Sequence, residues 1–133
     1  MPSITFLVLG TINDVGWLMS MIASVIYFYE NGFRSILDWA VLADWVCVMF
    51  GVFYLIHLNI IHEKEIATRL QKNYGHGMVV YAGLVGGIIG IAQILIYGAS
   101  TELILMVAGG FLNFATGIPI YLSFRKGIFY GVE

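Results

Sequence analysis

Charged side chains are scarce: Lys, Arg, Asp and Glu make up 11% of the 133 residues, against about 25% in a soluble globular domain. The net charge is −2 and the cations form no basic run, so no polyanionic partner and no nucleic acid is implied. A single cysteine, Cys47, excludes an internal disulfide and any multi-cysteine zinc or iron–sulfur site. Inside its apolar run it reads as a small hydrophobe. The opening MPSITFLVLG has no cationic n-region and no small-residue cleavage site, so the first apolar segment is expected to stay in the mature chain. Also missing are a nucleophile–base pair, a glycine-rich phosphate loop and a haem-type histidine pair, so no catalytic residue and no cofactor is assigned.

Apolar residues, by contrast, are abundant: 60% of the chain is hydrophobic and the mean hydropathy is +0.91. A soluble domain of about 150 residues still exposes about a third of its unfolded-chain surface, too much for such a composition to keep in water. The bilayer is the expected solvent. That reading excludes a soluble enzyme, a nucleic-acid-binding domain and a disulfide-stapled secreted module.

Four apolar runs are long enough to cross a hydrocarbon core of about 30 Å, covering about 4–29, 36–61, 78–97 and 101–124. Glu30-Asn31-Gly32 closes the first, and Gly98-Ala99-Ser100 turns the third directly into the fourth. Spans in lipid must satisfy their backbone groups internally, which favours helices, and nothing alternates like a barrel strand. The expected architecture is an all-α, integral-membrane four-helix bundle, one transmembrane domain over residues 1–133. Five of the six cations, Lys64, Arg69, Lys72, Arg125 and Lys126, fall on one side, with Arg34 alone on the other. By the positive-inside rule both termini face the cytoplasm, and a multi-pass protein of the plasma membrane is expected.

The polar stretch between the second and third spans contains no helix breaker until Gly75. Glu65 and Arg69 form an acid-first i,i+4 pair, and Ile66, Leu70 and Tyr74 make an apolar stripe. A cytoplasmic helical extension over about 62–74 is expected, resting on headgroups or neighbouring helices, or presented to a partner.

Small residues mark packing faces in lipid, where helices associate by close backbone approach. The third span carries Gly83, Gly86, Gly87 and Gly90 in two overlapping GxxxG patterns, and the fourth has Gly109, Asn113 and Gly117 at steps of four. These two spans are expected to form the tight hairpin, with Gly86 or Gly87 against the Gly109–Asn113–Gly117 face. The first span has a weaker stripe of Gly16, Ser20 and Ser24.

Polar groups at depth are the candidate functional residues, since a charge near the bilayer centre costs at least about 2.5–3.5 kcal/mol. Asp14 lies about 15 Å into the first helix, level with Asn113, Tyr54 and Thr116. Asp44 lies about 12 Å below the outer end of the second, near the plane of Gln93. Asp38, at the outer boundary, is expected to be solvated. The acids read either as protonated groups in interhelical hydrogen bonds, Asp14 most naturally to Asn113, Tyr54 or Thr116, or as proton or cation sites. His57 and His62 stand about 140° apart around a helix axis, which is not a metal-binding face, and no metal site is assigned.

Residues 78–126, an apolar hairpin turning at IYGASTELIL and ending in GIPIYLSFRKG, resemble the last two helices of amino acid–polyamine–organocation transporters. That resemblance implies scaffold helices, because the family's substrate site lies in earlier, broken helices; neither Gly117 nor Pro119 would touch substrate. The first span, with LGTINDVG and one acid in a short four-span chain, is similar to small multidrug resistance transporters, whose first-helix acid binds protons and cationic drugs in turn. Asp14 stands at the matching position.

Two functions compete: a non-catalytic accessory or scaffold subunit of a larger respiratory, monooxygenase or transporter assembly, or a small oligomeric proton-coupled transporter built on Asp14. The expected partners are the lipid bilayer and either other membrane subunits or further copies of this chain. The topology is testable by cysteine labelling in a Cys47→Ser background. Asn73→Cys is expected to be protected from an impermeant reagent in intact cells and Asn31→Cys to be modified; the reverse pattern would invert the orientation.

Overall fold

The computed structural model describes the backbone of residues 4–60 and 76–125, and their side chains apart from 6–7, 50–60, 76–79 and 123–125. The expected extension over 62–74 and the side chain of Tyr54 lie outside the described residues. The described residues form four helices: α1 (Ile4–Asn31), α2 (Ile36–Ile60), α3 (His76–Tyr97) and α4 (Thr101–Arg125).

Both short turns are written in local chemistry. Gly32 (φ 64°) and Gly98 (φ 88°) adopt left-handed backbone, a conformation glycine takes without a Cβ penalty. Each closes the preceding helix by donating its amide to a carbonyl one turn back, Gly32 to Phe28 and Gly98 to Ile94, both at 2.9 Å. Ser35 and Ser100 cap the helices that follow, each hydroxyl accepting an amide at 3.2 Å, from Leu37 and Leu103 respectively. Asp38 and Glu102 sit in the first turns of α2 and α4, where the helix dipole favours an acid.

The chain is a multi-pass integral membrane protein. Val8–Asn31, Val80–Tyr97 and Thr101–Leu122 are long and apolar enough to cross a membrane. The distribution of side chains is that of a protein dissolved in lipid: large apolar residues such as Val25, Leu95 and Ile96 lie on the outside, while Ser20, Ser24, Asp38, Gln93, Asn113 and Thr116 are buried.

Close backbone approach joins α4 to both α1 and α3, and α3 to α2. Glycine makes these approaches possible. A Cβ on Gly110 would lie 2.7 Å from the Gly83 carbonyl oxygen and 2.9 Å from the Gly87 nitrogen, and one on Gly83 would lie 2.7 Å from the Gly110 oxygen. Above and below this crossing, Gly90 receives Val107 and Gly117 receives Val80, each with 2.6 Å to a would-be Cβ. Gly87 lies beneath the Phe111 ring.

Gly109 does not belong to this seam. Its would-be Cβ lies 2.6 Å from the Gly16 carbonyl oxygen and 2.8 Å from the Ser20 Cβ, so it serves α1. The expected stripe of Gly109, Asn113 and Gly117 facing the third span is therefore divided: consecutive residues differ by about 100° around a helix, and Gly110, one position on, meets α3 instead. The α1 and α2 backbones make no comparable approach among the described residues. Side chains bridge them, with Trp17 edge-on to Trp45 at 5.1 Å between centroids and Trp45 Nε1 donating to Ser24 Oγ at 3.3 Å.

Gly110→Ala is expected to destabilise the bundle by about 1–3 kcal/mol, because backbone has no rotamer with which to yield. Gly10, with nothing within 4 Å of a would-be Cβ, should tolerate alanine and gain up to about 1 kcal/mol of helix propensity. Unfolding in detergent compares them; equal responses would contradict the assigned seam.

Candidate functional site

The polar groups inside the bundle form two clusters, and a third group lies on its surface. At the α1–α2 turn, Asp38 is fully buried (0% exposed) rather than solvated as its boundary position implied. Its Oδ1 accepts from the Tyr27 hydroxyl at 2.9 Å and Gln93 Nε2 at 2.7 Å, and its Oδ2 accepts from the Arg34 amide at 2.7 Å. The four-residue connection explains this, because it folds Arg34 back over the helix ends. Arg34 Nη2 donates to the Tyr27 hydroxyl at 2.8 Å, and the guanidinium carbon lies 4.0 Å over the Tyr97 ring. That hydrogen bond to Tyr27 raises the Arg34 pKa above its ordinary value and keeps it cationic. Tyr97 and Ser35 hydroxyls bond to one another. Arg34, Tyr27 and Asp38 thus form a charge-assisted chain that clasps α1, α2 and α3 together.

Gln93 belongs to this clasp and not to Asp44. It lies about 6 Å from the end of α3, nearer the depth of Asp38 at about 3 Å than that of Asp44 at about 12 Å. Its Oε1 is buried without a hydrogen-bond partner among the described residues.

The second cluster surrounds a cavity of about 30 Å³ in the middle of the bundle, lined by Asp44, Asn113, Ser20, Ser24, Trp17 and Trp45 among others. Asp44 shares a face of α2 with the buried Val41 and Val48. Its Oδ2 rests against Gly86, where a Cβ would lie 3.2 Å away. Among the described residues Asp44 is the single charged one lining this cavity. Asn113 is 4% exposed, and its Oδ1, which lies 2.7 Å from a would-be Cβ on Gly16, has no hydrogen-bond partner among the described residues. Ser24 Oγ donates to the Ser20 carbonyl at 2.7 Å, one turn back.

The third group corrects the expectation for Asp14. Asp14 is exposed on the outside of α1, and its neighbour takes the bonds anticipated for it. Asn13 Nδ2 donates to Thr116 Oγ1 at 2.9 Å and to the Asn113 carbonyl at 3.2 Å, while Thr116 Oγ1 donates to the Leu112 carbonyl at 2.7 Å. The depth was right for both residues, but rotation separates them. Asp14 stands two residues, about 200° of turn, from Gly16 on the packed face, whereas Asn13 stands about 60° from it. Asn13 was not singled out from the sequence, although the Gly16–Ser20–Ser24 stripe carries the signal.

Among the described residues, no group of three or more His, Cys, Asp or Glu converges. No family model matches the chain, and no curated protein or solved structure matches it either.

Replacing Asp38 with alanine strands three donors at once, and a loss of about 3–5 kcal/mol is expected, as for breaking a buried charged pair. Tyr27→Phe, which removes one hydroxyl from the chain, should cost about 1–2 kcal/mol. Unfolding in detergent ranks the two, and an Asp38→Ala protein as stable as wild type would show that the clasp holds nothing.

Proposed function

We propose that this chain is a non-catalytic accessory or scaffold subunit of a larger integral membrane assembly, with all four helices spanning the bilayer and both termini on the cytoplasmic side. The observation that carries this reading is Asp14: a carboxyl on the outer surface of α1, about 15 Å from the helix start. Among the described residues nothing bonds to it. Facing hydrocarbon, such a group costs at least about 2.5–3.5 kcal/mol. A second transmembrane helix presenting a hydrogen-bond donor removes that cost, so α1 has an outward face suited to assembly.

The interior supports the same reading. Its cavity of about 30 Å³ is far below the roughly 300–1,000 Å³ of small-molecule sites. The glycine seams hold the helices together in lipid, where close packing rather than hydrophobic segregation drives association. The likeness of residues 78–126 to the closing helices of amino acid–polyamine–organocation transporters fits a scaffold role.

A second reading uses the same residue: copies of the chain meeting at Asp14 would form a small proton-coupled transporter, as the likeness to small multidrug resistance proteins implies. Purification at native abundance in a mild detergent tests both. Stoichiometric recovery of larger subunits, lost on Asp14→Leu, is the expected result. A homo-oligomer that releases protons on adding a lipophilic cation, and fails to do so as Asp14→Asn, would establish transport instead. A wild-type monomer under these conditions would overturn both.

A further inference from the structure

We propose that a stack of three aromatic rings at the α1–α2 turn docks in the glycerol–carbonyl layer of a phospholipid bilayer, with the Trp39 indole N–H donating to lipid ester oxygens. The inference stands apart from the assembly reading, whose residue, Asp14, lies about 21 Å from Phe28 along α1.

Phe28, Phe33 and Trp39 come from the end of α1, the connection and the start of α2. Their rings lie nearly parallel. Phe28 and Phe33 are 4.7 Å apart between centroids with 15° between planes, and Phe33 and Trp39 are 4.3 Å apart with 22°. Phe28 roots the stack, packing against the buried core that includes Tyr27 and Leu103. From that root the stack opens outward: Phe33 is 42% exposed and Trp39 55%.

Depth identifies what covers the outer rings. The apolar segment of α1 runs to Asn31, so the end of that helix marks the boundary between hydrocarbon and water. Phe28 and Trp39 each stand three residues, about 4.5 Å, from the ends of their helices. Deeper along α1 the exposed side chains are aliphatic, Ile22, Val25 and Ile26. At the turn itself Glu30 and Arg34 are exposed and charged. Rings between an aliphatic belt and a charged rim stand at the level where amphipathic aromatic side chains collect in membrane proteins. Among the described residues no acceptor reaches the Trp39 N–H, and lipid ester carbonyls at that level are acceptors. Stacking also fixes the rings before they meet lipid, so docking costs them little rotamer freedom.

The experiment uses the full chain in phosphatidylcholine nanodiscs, with the lipid brominated either just below the ester carbonyls or near the acyl-chain ends. Subtracting the indole fluorescence of Trp39→Phe from that of wild type isolates Trp39 from Trp17 and Trp45, which line the interior cavity. The Trp39 signal is expected to be quenched about twofold or more better by the shallow bromines than by the deep ones. Should Trp39→Phe fail to fold, Phe33→Trp, which places an indole one ring further in, is expected to add a component with the same shallow preference. Equal or stronger quenching by the deep bromines would overturn the proposal. So would quenching by aqueous iodide in place of lipid bromine, or shielding from both, as a protein neighbour or a second copy of the chain would give.

Discussion

Two adjacent glycines in the middle of α4 set the geometry of the whole bundle. Gly109 and Gly110 point about 100° apart, so one lets α4 touch α1 while the other lets it touch α3. Backbone meets backbone at both crossings, with carbonyl oxygens occupying the space that side chains would claim. In lipid there is no hydrophobic gain from bringing two apolar helices together, and close packing must supply the attraction. The fourth helix thus becomes the post against which α1 and α3 are positioned, and α2 joins through α3.

That arrangement leaves α1 and α2 apart, and the gap is where the polar chemistry collects. At the α1–α2 turn it is closed by Arg34, Tyr27, Asp38 and Gln93, a set in which the cation, the hydroxyl and the carboxylate are each bonded to the next. Farther along the helices the two indoles of Trp17 and Trp45 span the gap and line the Asp44 cavity. Farther still, Asn13 and Thr116 tie α1 to α4. Polar side chains are buried beside an apolar core that includes Val41, Leu103 and Met106, and large apolar side chains cover the outside, a distribution suited to a non-aqueous solvent.

Two carboxyls in the spans therefore stand in opposite situations. Asp44 looks inward at a small cavity, whereas Asp14 looks outward from the bundle. Direction, and not depth, separates them: one carboxyl is turned into the bundle and the other away from it.

Composition and run length alone determined that the chain is helical, membrane-embedded and four-helical, because the bilayer penalises every other way of disposing of 60% apolar residues. The turn signals were equally local: Gly32 and Gly98 end helices through their own backbone freedom, and Ser35 and Ser100 begin the next ones. Depth was legible too, at 1.5 Å per residue. Rotation was not, and rotation separates Asn13 from Asp14 and Gly110 from Gly109. A residue's height follows from its place in its own helix, but the direction it faces acquires meaning only when neighbouring helices are in place. The burial of Asp38 likewise required Arg34, Tyr27 and Gln93 to arrive from three separate segments, a meeting that no single stretch of sequence encodes and only tertiary packing decides.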